Sequence, residues 1–119
     1  MKNIIIVTGG AGFVGSNLIE YFIQKTNYKV ISIDNYSSGT KKNHINDKRI
    51  TYIKSNTQNI SRVLDKKKKS INALFHFGEF ARIYQSFQFM NECIDTNTIG
   101  TNAVFNFCLK NKIKLIYSA

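Results

Sequence analysis

Four glycines stand close together between an apolar run and an amphipathic segment. They are Gly9, Gly10, Gly12 and Gly15, in the stretch VTGGAGFVGSN. Their spacing satisfies both G-x-G-x-x-G and G-x-x-G-x-x-G, patterns typical of a turn that binds a dinucleotide pyrophosphate. The first glycines permit a tight turn, Gly12 lets backbone N–H groups approach an anion, and Gly15 lets the following helix pack against the strand. A turn that is rich in glycine only for packing is the alternative.

A carboxylate follows the turn at the spacing that dinucleotide binding requires. Asp34 ends the second apolar run, 19 residues after Gly15. There it can accept hydrogen bonds from the ribose hydroxyls of an adenosine. Because it would repel a 2′-phosphate and no arginine follows it directly, the sequence favours NAD. Lys41 and Lys42 keep NADP as an alternative cofactor, and capping of a turn is the alternative role for Asp34.

These groups need a strand before the turn and a helix after it, and the sequence predicts both. Apolar, β-branched runs predict five strands, at residues 4–8, 30–33, 50–53, 73–77 and 114–117. Apolar periodicity predicts helices over 13–25 and 89–110, and a short one over 60–65. Strands that alternate with helices indicate an α/β fold, a doubly wound (Rossmann) parallel sheet, for which we expect the strand order 3-2-1-4-5.

Composition excludes several other classes of protein. The 119 residues suit one domain and carry a formal net charge of +10. The lysines are scattered through a chain rich in Ile, Lys and Asn, so we predict no nucleic-acid partner. The longest apolar run, Ile4–Val7, is too short to cross a membrane, and we expect a cytoplasmic protein. Cys93 and Cys108 have no metal-ligand spacing, which predicts reduced, buried thiols and no metal site.

Five segments, in this order and spacing, resemble the extended short-chain dehydrogenase/reductase family. They are TGGAGFVGSNL, ISIDNYSSGTKKN, ALFHFGEFARIYQS, NTIGT and KLIYSA. Within that family the segments are most similar to the NAD-dependent epimerases and dehydratases of nucleotide sugars (UDP-glucose 4-epimerase among them). The resemblance covers essentially the whole chain and implies an NAD-binding Rossmann domain over residues 1–119. It is specific for the family but not for the substrate.

The resemblance implies a set of cofactor contacts at the ends of the predicted strands. The set comprises Gly9, Gly12, Phe13 and Val14 at the pyrophosphate, with Gly15 in the same turn, Asp34, Asn35, Ser37 and Ser38 at the adenosine ribose, Asn56 at the adenine, Phe77 and Gly78 at the nicotinamide side, and Asn97 beside the cofactor. Asn56 stands where relatives carry Asp, and its amide can still bond adenine. Asn97 either reaches the cofactor or bonds the strand backbones. His76, in an apolar strand, is predicted to be a hydrogen-bonded core histidine rather than a catalytic one.

Three positions after the predicted fourth strand either depart from the family or match its substrate entrance. Glu79 stands where relatives usually carry Ala or Gly. Its carboxylate would bond a ribose hydroxyl, pair with Arg82, or point to solvent. Arg82 and Ser86 match residues near the substrate entrance of many relatives.

The resemblance places the family's catalytic groups after this sequence. In the family a catalytic Ser or Thr follows strand five, and a Tyr-x-x-x-Lys pair comes later; Ser118 and Ala119 align with the start of the Ser-rich stretch. We therefore expect the N-terminal part of a longer, homodimeric enzyme, with no catalytic residue here and the substrate-binding C-terminal domain absent. A nucleotide-sugar epimerase, a dehydratase or reductase of the same family, and a non-catalytic dinucleotide-binding module remain open.

Overall fold

Five parallel strands form the sheet at the centre of the protein. The computed structural model describes residues 1–36, 40–77 and 99–117. The strands are β1 (Ile4–Thr8), β2 (Lys29–Asp34), β3 (Ile50–Lys54), β4 (Ile71–His76) and β5 (Lys114–Tyr117). Their order in the sheet is β3-β2-β1-β4-β5, which confirms the predicted doubly wound topology.

β1 is the central strand, and both of its faces are buried. Ile4 pairs with Lys29 of β2 and with Ile71 of β4, and every residue from Ile4 to Thr8 is buried. A parallel sheet with helices on both faces has no solvated side. The first strand is therefore a continuous apolar run instead of an alternation of apolar and polar residues.

Helices cover the two faces of the sheet. They are α1 (Phe13–Lys25), α2 (Ile60–Val63) and α3 (Thr101–Asn111). α1 packs Ile19 and Phe22 into the core cluster that contains Ile5 and Val7, while α2 and α3 contribute to the cluster around Ile6 on the other face. None of the helices within the described ranges is both long and apolar enough to cross a membrane.

The two later helices differ from the sequence prediction in their extent. The helix predicted over 60–65 ends at Val63, and the chain continues through turns to a 3₁₀ helix at Lys68–Ser70. The lysines at 66–69 lie mainly in solvent there. For the helix predicted over 89–110, the described part is α3, which extends to Asn111, and residues 89–98 lie outside the described ranges.

The carboxyl end of α1 is fixed by Arg49, just before β3. Its Nη1 donates to the carbonyl of Thr26 at 2.8 Å, and its Nη2 donates to the carbonyl of Ile23 at 2.6 Å. Asp47 accepts a hydrogen bond from the Arg49 backbone N–H at 2.8 Å, and this bond, with the Arg49 charge, lowers the pKa of the Asp47 carboxyl. The guanidinium also places positive charge at the negative end of the helix dipole.

Candidate functional site

The glycine turn joins β1 to α1, and three of its glycines have structural reasons inside the protein. Gly9 has a φ of 72°, in the left-handed region that favours glycine. A Cβ at Gly10 would lie 2.8 Å from the Cβ of Ser32. A Cβ at Gly15 would meet the Gly9 carbonyl oxygen and lie 2.9 Å from the Gly10 Cα. Gly15 therefore lets α1 approach the turn itself, instead of the strand as the sequence predicted.

Among the described residues, neither backbone conformation nor a close contact requires a glycine at position 12. Its φ of −81° and ψ of 176° are open to any residue. Among the described residues, a Cβ there would meet only the Gly9 carbonyl oxygen, at 3.4 Å, which is ordinary contact. Packing within the described residues does not explain the missing side chain. Apart from the two chain neighbours of Gly12, no other atom of these residues lies within 4 Å of that Cβ position, at the start of α1.

The amino end of α1 presents uncommitted backbone donors beside that position. Gly12 is the N-cap, no side chain caps the helix, and the first helical bond runs from the Ser16 N–H to the Gly12 carbonyl at 3.0 Å. The N–H groups of Phe13 and Val14 precede that bond and have no helical partner. The Phe13 and Val14 side chains are 81% and 57% exposed. With the positive end of the helix dipole, this arrangement suits an anion.

Asp34 links the end of β2 to the glycine turn. Its Oδ2 accepts the Ala11 N–H at 3.0 Å, and its Oδ1 accepts the Tyr36 N–H at 2.7 Å. Asp34 therefore does cap a turn, which was the alternative role considered from the sequence. A carboxylate has about four acceptor positions, so both oxygens keep capacity for a further donor.

The other predicted contacts that the structure describes lie along the same edge of the sheet. The Asn35 Nδ2 donates to the Asn56 Oδ1 at 3.0 Å, which joins the residues after β2 and β3. The Phe77 N–H donates to the Thr8 carbonyl at 3.1 Å, just after β4. Ser37, Ser38, Gly78 and Asn97 lie outside the described residues, as do Glu79, Arg82 and Ser86.

His76 is a core residue of β4. It is fully buried, with its Nδ1 2.6 Å from the Thr8 Oγ1 and its Nε2 3.1 Å from the Thr101 Oγ1. Its ring also stacks on Tyr117, with centroids 5.6 Å apart. Both ring nitrogens are within hydrogen-bond distance of a hydroxyl, which confirms the prediction of a satisfied core histidine.

The loop between β2 and β3 contributes contacts that the sequence did not indicate. The Asn43 Nδ2 donates to the Ala11 carbonyl at 2.8 Å, and the Thr40 N–H donates to the same oxygen at 3.2 Å. The Asn43 contact spans 32 residues, and an asparagine in a polar loop belongs to no periodic pattern. No signal in a single sequence distinguishes it from its solvated neighbours.

An aromatic cluster of Tyr36, His44 and Tyr52 anchors this loop to β3. The Tyr36 hydroxyl is hydrogen-bonded to the His44 Nε2 at 2.6 Å, and the His44 ring stacks on Tyr52 with centroids 3.7 Å apart. Burial, the charge of Asp34 and the nearby Tyr52 together raise the pKa of the Tyr36 hydroxyl. The Tyr36 hydroxyl thus keeps its proton more strongly beside the Asp34 carboxylate.

Three features together define the dinucleotide-binding class of α/β domains. They are a glycine turn before a helix, an acidic residue at the end of the second strand, and a parallel sheet of order 3-2-1-4-5. The model of the NAD dependent epimerase/dehydratase family matches residues 5–119, and the chain belongs to this family. The resemblance noted from the sequence motifs is thereby confirmed. Among the described residues, no group of three His, Cys, Asp or Glu side chains is placed to hold a metal ion.

The relatives of this chain differ in their activities. It is 30% identical to the UDP-N-acetyl-alpha-D-glucosaminuronate decarboxylase of Bacillus cytotoxicus, over 100% of this chain and 37% of that protein. The structure of the Methanobrevibacter ruminantium UDP-N-acetylglucosamine 4-epimerase, in complex with UDP-N-acetylmuramic acid, is 30% identical with a TM-score of 0.83, over 100% of this chain and 38% of that one. The Thermotoga maritima UDP-glucose 4-epimerase with UDP-glucose is 28% identical with a TM-score of 0.86, over 98% and 37%. The chain thus spans less than two fifths of the length of these relatives.

Proposed function

We propose that this chain is the NAD-binding part of a nucleotide-sugar epimerase. The N–H groups of Phe13 and Val14 at the glycine turn would hold the pyrophosphate, and Asp34, at the end of β2, and Asn56, after β3, would hold the adenosine. When bound, NAD supplies the hydride acceptor for chemistry on the sugar. The residues described here bind and orient the cofactor, and the acid and base groups for the sugar lie elsewhere in the protein.

The open space at Gly12 is the observation that carries the proposal. Gly9, Gly10 and Gly15 are explained by backbone conformation or by contacts within the protein, and Gly12 is not. A side chain at Gly12 would fill the space beside the first-turn N–H groups of α1. The missing side chain is therefore best explained by a ligand whose charge those donors neutralise, and a pyrophosphate fits both the space and the donors.

Asp34 supports NAD over NADP. Its carboxylate already holds the Ala11 and Tyr36 N–H groups and keeps acceptor capacity for ribose hydroxyls. A 2′-phosphate would bring about 1.5 to 2 negative charges toward an oxygen that is fixed in place. Lys41 and Lys42, on the neighbouring 3₁₀ helix, are exposed and form no ion pair within the described residues.

The reaction and the substrate are proposed from the relatives. Two of them are 4-epimerases of UDP sugars and one is a decarboxylase of a UDP sugar. We propose a nucleotide sugar as the substrate and epimerisation as the reaction, in a homodimeric enzyme. Decarboxylation is the second candidate, because the Bacillus relative is as similar in sequence as either epimerase.

Calorimetric titration of the chain with NAD and with NADP tests the cofactor. We expect tighter binding of NAD, and about a 10- to 150-fold loss of NAD affinity in Asp34→Asn, because charged hydrogen bonds contribute about 1.5–3 kcal/mol each. Asp34→Asn should weaken NADP less. Asp65→Asn is the matched control, since Asp65 is exposed and its partner Lys68 is remote from the site. Tighter binding of NADP than NAD by the wild type would contradict the proposal.

A further inference from the structure

We propose that Asn43 is a positioning residue for the dinucleotide phosphates, which it does not touch, because it fixes the Ala11 peptide that leads into Gly12. This inference rests on the function proposed above. Ala11 is fully buried and is held on both sides: its N–H by the Asp34 Oδ2, and its carbonyl by the Asn43 Nδ2 and the Thr40 N–H.

The Ala11 carbonyl and the Gly12 N–H belong to one rigid peptide plane. The Gly12 N–H donates to the Gly9 carbonyl at 3.1 Å. Any rotation of this plane therefore moves Gly12 and the first donors of α1 together. At the other end of the plane, the Asn43 Nδ2 donates to the Ala11 carbonyl oxygen at 2.8 Å. Because Asn43 lies outside the turn, this bond resists rotation of the plane relative to the rest of the protein.

Asn43 can act in this way because its own loop is anchored. The adjacent His44 stacks on Tyr52 and is hydrogen-bonded to Tyr36. The next residue, Ile45, donates its N–H to the Tyr52 hydroxyl at 2.8 Å. The Tyr36 backbone, with a φ of 61°, is held in the left-handed region by its N–H bond to Asp34. The residues at the proposed ribose contact, Asp34 and Tyr36, are thus connected to the glycine turn through β3 and Asn43.

The expected consequence is a loss of preorganisation. Without the Asn43 donor, the Ala11 peptide keeps only the longer Thr40 N–H bond at its carbonyl and the Gly12 N–H bond to Gly9, so it samples other orientations more readily and the ligand must order the turn when it binds. We expect NAD affinity to fall about 5- to 20-fold in Asn43→Ala. A residue that only stabilised the fold would change the unfolding transition and leave the affinity of the folded protein unchanged.

Asn111→Ala is a closely matched control. The Asn111 Nδ2 also donates to a backbone carbonyl at 2.8 Å, that of Phe107 at the end of α3, and is also half-buried. The two variants remove the same kind of bond at the same length. Asn43→Asp is a second test variant, because it keeps the shape of the side chain and removes the donor.

Two measurements on the whole chain decide the question. Amide hydrogen exchange without ligand should become faster at Ala11 and Gly12 in Asn43→Ala and Asn43→Asp, and remain as in the wild type in Asn111→Ala. Calorimetric titration with NAD should show the loss of affinity in Asn43→Ala and in Asn43→Asp, and no loss in Asn111→Ala. Unchanged exchange at Ala11, unchanged NAD affinity in Asn43→Ala, or an equal loss in Asn111→Ala would each overturn the inference. A wild type that binds no NAD contradicts the proposed function, and the exchange data then still decide whether Asn43 fixes the turn.

Discussion

Replacing Gly12 by alanine should separate NAD binding from stability. Within residues 1–36, 40–77 and 99–117, the added Cβ meets only the Gly9 carbonyl oxygen, at 3.4 Å, and the backbone angles suit alanine. Removing a glycine gains about 0.4–1 kcal/mol through the unfolded state. Alanine is a poorer N-cap than glycine, by about 0.5–1 kcal/mol. The two effects nearly cancel, so the free energy of unfolding should change by less than about 1 kcal/mol.

The affinity for NAD, in contrast, should fall clearly in Gly12→Ala. The methyl would occupy the space through which a pyrophosphate reaches the first N–H groups of α1. Losing one charge-assisted hydrogen bond costs about 1.5–3 kcal/mol. That corresponds to a dissociation constant about 10- to 150-fold higher. Urea unfolding followed by circular dichroism gives the stability, and calorimetric titration with NAD gives the affinity.

Gly15→Ala is the contrasting variant. Its Cβ would press on backbone atoms, with the Gly10 Cα at 2.9 Å and the Gly9 carbonyl oxygen nearer still. Backbone cannot move aside as a flexible side chain can, so we expect a loss of about 1–3 kcal/mol in stability. The reasoning fails if Gly12→Ala binds NAD as the wild type does, or if it is destabilised as much as Gly15→Ala.

The remaining predictions concern features away from the turn. Burial raises the pKa of the Cys108 thiol to about 11, so iodoacetamide at pH 8 should leave Cys108 unmodified in the folded protein and label it in urea, as peptide mass spectrometry would report. Because this thiol ionises more readily in the unfolded chain, stability should fall as the pH rises from 9.0 toward 11, and this part of the fall should be missing in Cys108→Ala. Arg49→Lys cannot hold both carbonyls at the end of α1 and should lose about 1–3 kcal/mol in urea unfolding; a loss within error would mean that the two bonds do not stabilise the helix end.

The strand order was predictable because local and global patterns agree. β1 and β2 are short apolar runs, and the glycines and Asp34 fall at their carboxyl ends, where parallel strands present ligand sites. The end of the short helix after β3 was harder to predict. Its apolar residues continue to Leu64, but the helix ends at Val63 before the lysines. Helix ends depend on competition between local turns, which periodicity does not resolve.

The candidate site was only partly predictable for a different reason. Motif spacing indicated Gly12 and Asp34 because their roles depend on position along one β-α-β unit. The contacts of Asn43 and Arg49 span 32 and 23 residues and depend on how a loop returns to an earlier element. Neither residue belongs to a repeat or motif, so only the folded arrangement reveals its partner. The same is true of the division of roles among the four glycines, which the spacing alone does not distinguish.

The central position of β1 also determines the order in which the molecule can assemble. Its pairing with β2 closes about 25 residues and its pairing with β4 about 67, a difference of about 0.9 kcal/mol in loop-closure entropy. Chains dominated by such distant pairings fold slowly. We therefore expect β1, β2 and β3 to associate first, with the glycine turn, Asp34 and Asn43 already in contact before β4 docks. Pulsed hydrogen exchange during refolding would detect early protection of the β1–β2 amides, and simultaneous protection of β4 would contradict this order. In this protein the phosphate-binding half would then be built from its fastest-folding segment.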